Sequence, residues 1–241
     1  MKKPYVIIHT HTSLDGKIHS IDLPEFRSAS RQYQELALMP GKQVLDIDGY
    51  LNGRMTAEDN ATHYRKPELN EDAVLVPEGD FIAKANAPMY YVSIDPSGRL
   101  AWQENQFDYG GLSSHIISVL TAKVSNAYKD FLRRKNISYI IAGEETLDNA
   151  LVLHKLATLF GMQRVMIGGG GILNWSYLQS GLVDEVSIIM AAIADGSPDT
   201  QSLFMAKAPY SSTQPFSFTL IDAKPLEDST VWLRYTVNNG D

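Results

Sequence analysis

The sequence predicts an α/β fold of three layers, with a mostly parallel central sheet, helices on both faces and antiparallel strands at the C-terminal end. Three observations carry this. Short apolar runs alternate with segments whose apolar residues recur at helical spacing along most of the chain. The run Arg164–Ile167 leads through four glycines, Gly168 to Gly171, into a helical pattern and then a further apolar run, which is a βαβ unit and implies parallel strands. The last two segments, 216–222 and 230–237, alternate in polarity as antiparallel strands at a sheet edge do.

Taken in order, Tyr5 to Thr12 is β-rich and reads as a buried first strand ending at the turn-forming stretch Ser13-Leu14-Asp15-Gly16-Lys17-Ile18. Past Pro24, the segment Ser28-Ala29-Ser30 offers an N-cap for a helix with Tyr33, Leu36, Ala37 and Met39 on one face, stopped by Pro40-Gly41. Val44 to Leu51 reads as a second strand, and Asn52-Gly53 then turns into a short helix through Arg54, Thr56 and Glu58. Met89 to Ile94 is a strand closed by the turn Asp95-Pro96-Ser97-Gly98. Ile116 to Leu120 is another, and Val124, Ala127, Tyr128, Phe131 and Leu132 give the stripe of a helix. Ser138 to Ala142 is a strand, Leu147 to Phe160 a helix stopped by Gly161, and Gly181 a natural left-handed cap before the strand Leu182 to Met190. With no internal repeat, low-complexity tract or linker, residues 1–241 read as a single domain.

Composition narrows the function classes. The chain has 28 acidic and 21 basic residues, a formal charge of −7, and no Lys/Arg block longer than Arg133-Arg134-Lys135, so nucleic acid is not the expected partner. It has no cysteine, which rules out disulfides, thiolate catalysis and the cysteine-ligated zinc of nucleobase deaminases. The apolar stretch after Met1-Lys2-Lys3 is too short for a signal peptide and no run approaches a membrane span, so the expected location is the cytoplasm.

Two stretches carry candidate chemistry. Glycines between a strand and a helix let the main chain take positive φ and let a ligand reach backbone N–H groups, so Gly168, Gly169, Gly170, Gly171, Ile172, Leu173 and Asn174 form a candidate phosphate or dinucleotide cradle. The same glycines fit a tight βα connection with no ligand, and neither GxGxxG with its acidic partner nor GxxxxGK[ST] is present. Gly53-Arg54-Met55-Thr56-Ala57-Glu58-Asp59 joins a helix N-terminus to an arginine able to pair with phosphate, while its acidic residues equally suit the helix dipole. His9 and His11, two apart on a strand, face the same way as a metal-binding pair would, and a metal-dependent hydrolase is the alternative reading. A nucleotide-binding protein without turnover is a further one.

The string GGGxLN, a helix, and then Ser180-Gly181-Leu182-Val183-Asp184-Glu185 resembles the C-terminal reductase domain of the RibD proteins of riboflavin biosynthesis, which have a dihydrofolate-reductase-like fold. Ser13 to Ile18 is similar to the SLDGK signature after the first strand of these reductases, and Asp95 to Leu100 to their DPSGRL turn. The resemblance covers the chain from Tyr5 to Val237. It implies an NADPH-dependent reductase acting on a pyrimidine-like, pteridine-like or sugar substrate, with no bound metal and as a homodimer. The cofactor would then meet the backbone of His11, Thr12 and Ser13, the Gly53-Arg54-x-Thr56 turn, Ser97 near the adenosine, and the glycine turn. Glu58 matches the acidic position beside the nicotinamide, and Asp15 and Lys17 are the other candidates for handling a proton. Three features depart from the pattern: Gly168 stands where these reductases carry a substrate-binding glutamate, their amino-terminal zinc deaminase domain has no counterpart, and neither does their arginine-rich phosphate-gripping segment.

Overall fold

A computed structural model describes residues 1–19 and 23–239. The chain forms two compact units, each built from separated pieces of sequence: one from Met1–Pro4 and Ile47–Val165, the other from Tyr5–Asp46 and the chain from Met166 onward.

In the first unit, β2 (Gly49–Gly53), β3 (Tyr90–Ile94) and β5 (Leu112–Leu120) are parallel neighbours, with Asn52 opposite Ser93 and Ser93 opposite Ser118. The far side of β5 is shared. Its first half pairs antiparallel with β4 (Gln106–Tyr109) and its second half parallel with β6 (Ser138–Ile141). Between β2 and β3 lie α2 (Arg54–Ala57) and a single π-type turn, Glu58–Thr62. Helix α3 (Asn126–Arg134) is capped by Ser125, whose side chain accepts the Tyr128 N–H, and α4 (Asn149–Leu159) by Asp148, which accepts that of Leu151. Each such cap stabilises its helix by about 1 kcal/mol. Both helices bury apolar faces, Tyr128, Phe131 and Leu132 in α3 and Val152, Leu153 and Leu156 in α4.

In the second unit β1 (Tyr5–Thr12) pairs parallel with β8 (Glu185–Met190), placing His11 opposite Ile189. Antiparallel β10 (Val231–Asn238) joins β8, and β9 (Ser217–Pro225) joins β10 as the last strand on that side. β7 (Arg164–Ile167) runs from the first unit into the second, where it lies beside β1. Val6, Ile7 and Ile8 of β1 are fully buried, as a central parallel strand requires. Helices α1 (Arg27–Ala37) and α5 (Gly171–Gln179) complete the unit. Gly181 caps α5 as expected: its φ is +65°, its N–H reaches the Leu178 carbonyl and that of Leu182 the Tyr177 carbonyl.

The mostly parallel sheet order with antiparallel C-terminal strands agrees with the expected fold class. Two local expectations are corrected, and one strand is added. Ser28–Ser30 does not cap α1. The helix begins at Arg27 behind a 3-10 turn started by Pro24, and the Ser28 hydroxyl donates instead to Asp228. Val44 to Asp48 is not strand: the Val44 and Leu45 N–H groups return to the Leu36 carbonyl and close the helix end, so β2 begins only at Gly49. Strand β4 was not anticipated, although Gly110-Gly111 between Tyr109 and Leu112 is a hairpin signal.

Candidate active site

The glycine turn leaves β7 after the fully buried Ile167, and α5 starts at Gly171. Its four glycines do different things. Gly169 has a φ of +106° and is buried, yet a Cβ placed on it would meet no atom within 4 Å, so the main chain borders an empty space there. The peptide between Gly169 and Gly170 is cis. A Cβ on Gly170 would lie 2.7 Å from Gln201 Oε1, and one on Gly171 only 2.1 Å from the Ser202 carbonyl oxygen. Gly168 is half-buried. Ile172 and Leu173 are half-buried as well, and Asn174 is fully buried. The Asn174 amide donates to the Leu203 carbonyl at 3.0 Å, its Oδ1 has no partner, and the Met205 N–H donates to the Gly171 carbonyl. Segment 201–205 therefore lies directly on the start of α5, and among Gly169, Gly170 and Gly171 it is Gly169 whose missing side chain leaves an opening.

The loop after β1 is held by the same stretch of chain. Thr12 is buried and its hydroxyl donates to the Ser13 carbonyl. The Ser13 hydroxyl donates to Asp15 Oδ1 at 2.6 Å and accepts the Lys17 N–H at 2.9 Å. Asp15 also accepts the N–H groups of Asp195 and Gly196, at 3.0 and 2.9 Å. The Ser13 hydroxyl and then these two amides hold its carboxyl well below the usual carboxylate range. A carboxylate so engaged clasps two loops together and is poorly suited to giving up a proton. Lys17 forms a bridge with Ser202, and its ammonium donates to the Thr200 carbonyl at 3.3 Å.

The two strand histidines differ. His9 is buried and satisfied: Nδ1 lies 2.9 Å from Ser187 Oγ, Nε2 lies 3.2 Å from the Tyr33 carbonyl, and the ring stacks on Tyr33. Burial lowers its pKa to about 4. Both nitrogens are thus engaged by protein, and among the described residues no group of three or more metal-ligating side chains occurs. His11 has no hydrogen-bond partner at either nitrogen.

In the first unit, Gly53 stands in extended conformation before α2, and a Cβ there would meet no atom within 4 Å. Arg54 Nη1 lies 2.5 Å from Glu58 Oε1, one turn on, with the two side chains 33% and 13% exposed. That pair bears on both roles suggested by the sequence, because the arginine already has a carboxylate and the carboxylate a cation. Thr56 is half-buried and Ser97 exposed. The buried group of the Ser97 turn is Asp95, which sequence reasoning did not single out. Its Oδ2 accepts from the Arg99 and Leu100 N–H groups and the Tyr128 hydroxyl, while Oδ1 has no partner. Burial raises its pKa. An aspartate three residues before a glycine, at a strand end, is the sequence signal for such an anchor.

Comparison with known proteins places this geometry in a family. The family model of the RibD C-terminal domain matches residues 4–222. A 2,5-diamino-6-ribosylamino-4(3H)-pyrimidinone 5′-phosphate reductase of Aquifex aeolicus is 24% identical over 215 residues, 84% of this chain and 83% of that protein. A reductase of the same name from Methanothermobacter thermautotrophicus is 39% identical over 70 residues, which span 29% of this chain and about a third (32%) of that protein. Among solved structures, Acinetobacter baumannii RibD superposes with a TM-score of 0.61 at 18% identity, covering 98% of this chain and 58% of that one. The riboflavin biosynthesis reductase Rib7 of Saccharomyces cerevisiae gives a TM-score of 0.56 at 18% identity, with 98% of this chain and 90% of that one covered. With the match extending through both units, from the first strand into β9, the chain belongs to the RibD C-terminal domain family.

Proposed function

We propose that residues 1–241 act as one reductase domain that uses NADPH to reduce 2,5-diamino-6-ribosylamino-4(3H)-pyrimidinone 5′-phosphate or a close relative of it. The observation that carries this reading is the alignment with the Aquifex reductase along five-sixths of both chains. When bound, the nicotinamide supplies a hydride to a carbonyl or imine carbon of the substrate. The chain's own residues supply binding and orientation. The opening beside Gly169 fits close approach of a cofactor to the main chain, and the first N–H groups of α5 suit a phosphate. Gly53, Arg54 and Thr56 form the second phosphate-binding element, in which Arg54 favours NADPH over NADH by pairing with the extra phosphate in competition with Glu58. His11, Thr12 and Ser13 offer backbone groups, with Ser97 toward the adenosine. Glu58 positions the nicotinamide or assists the proton that accompanies the hydride. Asp15 keeps the loop after β1 in place, and Lys17 holds the same loop to Thr200.

The reading includes a cytoplasmic homodimer with neither nucleic acid nor membrane as partner. Strand β9 supports the dimer, since it exposes Phe218, Leu220 and Ile221 along the last strand of its side of the sheet. No helix among the described residues is long and apolar enough to cross a membrane. The decisive experiment mixes purified protein, NADPH and the pyrimidinone phosphate and follows loss of NADPH absorbance together with product mass. Tight NADPH binding without turnover on any pyrimidine, pteridine or sugar-imine substrate would reject the reductase reading.

A further inference from the structure

His11 sits one residue from the C-terminal end of β1, the end of a parallel strand at which open α/β sheets bind ligands. Its two ring nitrogens are out of solvent and neither has a hydrogen-bond partner, although the side chain is not wholly enclosed. The rings of Phe26 and Tyr33 flank it, with centroids 5.0 and 4.8 Å away, and provide no hydrogen bond. The contrast with His9, two residues earlier on the same face, is informative. The described residues that give His9 a hydroxyl and a carbonyl give the His11 ring nitrogens no hydrogen-bond partner. A buried polar group without a partner is destabilising, and such groups are retained where a ligand or an ordered water completes them.

The geometry points to His11 as a specificity-determining residue that hydrogen-bonds an uncharged carbonyl or hydroxyl group of the substrate. This rests on the reductase reading and adds a side-chain contact to it. Burial keeps the ring neutral by lowering its pKa to about 3, with smaller effects from His9 and His19. A neutral imidazole offers one donor and one acceptor and no charge. It therefore suits the carbonyl edge of a pyrimidinone or a sugar hydroxyl and is a poor partner for the phosphate, which calls for a cation.

The test compares wild type with His11→Phe, which keeps a ring but no polar atom, and His11→Gln, which keeps a donor and an acceptor. Substrate KM and NADPH Kd are measured for each, using the pyrimidinone phosphate and its dephosphorylated form. The expected result is a substrate KM raised about tenfold in His11→Phe, by the same factor for both substrates, with NADPH Kd unchanged, and near wild-type values in His11→Gln. An unchanged KM in His11→Phe, or a loss that disappears when the phosphate is removed, overturns the assignment while leaving the reductase reading intact. A wild-type protein that turns over neither substrate rejects both. Should His11→Phe not fold, the imidazole 15N resonances of His11 in wild type must move on adding substrate to the NADPH complex. Their failure to move also overturns the proposal.

Discussion

Replacing Gly171 with alanine should destabilise the protein sharply, although a residue inside a helix ordinarily gains from that change. The added Cβ would sit 2.1 Å from the Ser202 carbonyl oxygen and 3.1 Å from Met205 Cγ, where ordinary contact begins near 3.4 Å. The Ser202 backbone must therefore retreat by about 1.3 Å, the difference between 3.4 and 2.1 Å. Unlike a side chain, it has no rotamer to change. Overpacking of this kind costs about 1–3 kcal/mol, and the retreat also strains the Met205 N–H to Gly171 carbonyl bond, worth about 1 kcal/mol. Against these stands a helix-propensity gain of at most about 1 kcal/mol, since Gly171 is the first residue of α5. A net loss of about 1–3 kcal/mol corresponds to a fall of roughly 2–12 °C in Tm for a protein of this size. Gly170→Ala is the control, because the atom it meets, Gln201 Oε1, ends a flexible side chain and can turn away. Calorimetry of both variants measures the effect. A Tm for Gly171→Ala equal to that of Gly170→Ala would refute the claim that segment 201–205 is packed on the start of α5.

Three further outcomes are expected. Because burial depresses the folded-state pKa of His9 to about 4, its neutral form contributes stability fully present above about pH 6.5 and lost as pH falls through 4; the shift of about 2.5 units is worth roughly 3 kcal/mol. Urea titrations should show a smaller difference between about pH 7 and pH 4.5 in His9→Gln than in wild type, and an equal difference would contradict this. Glu58→Gln should lower turnover about tenfold at saturating NADPH while Arg54→Ala weakens NADPH more than NADH; turnover unchanged in the first variant would leave Glu58 as the partner of Arg54 alone. Leu220→Lys on β9 should convert a dimer to a monomer by light scattering at micromolar concentration, and a wild-type monomer would remove the dimer from the reading.

Much of the fold was legible because its elements are strongly patterned. β1 and β7 occupy the stretches that their buried apolar runs mark, and Gly181 stops α5 where a left-handed residue is needed. The errors fall where a local signal competes with a tertiary one. Val44 is β-branched and both it and Leu45 are apolar like strand residues, but their N–H groups are taken by the end of α1. Strand β4 alternates between exposed and half-buried positions and has too few apolar residues to announce itself before its partner β5 is known. For the candidate site, the sequence shows which residue types occur at a motif and not what already holds them. Arg54 and Glu58 suggested a phosphate and a proton when considered separately; one turn apart on a helix they meet first as an ion pair. Asp15 likewise suggested chemistry until its amide partners, 180 residues away in the chain, were known.

Those distant partners belong to a stretch that carries no motif of its own. Between Ile193 and Met205 the chain has little regular structure and no recognisable signature, yet it meets both glycine-bearing motifs of the second unit. It accepts the Leu14 N–H at Ile193, donates to Asp15 from residues 195 and 196, accepts the Ile18 N–H at Gln201 and bridges Lys17 at Ser202. Its next residues reach the start of α5, through Ser202 against Gly171, Leu203 to Asn174 and Met205 to Gly171. Ser202 therefore stands between the two motifs, with Lys17 on one side and Gly171 on the other. A displacement at Gly171 has to be transmitted to the loop after β1, because the backbone that must move is the backbone that loop is tied to. This makes the bulk of residue 171 and the placement of Ser13 and Asp15 coupled quantities, whose effects in a double variant are expected to be non-additive.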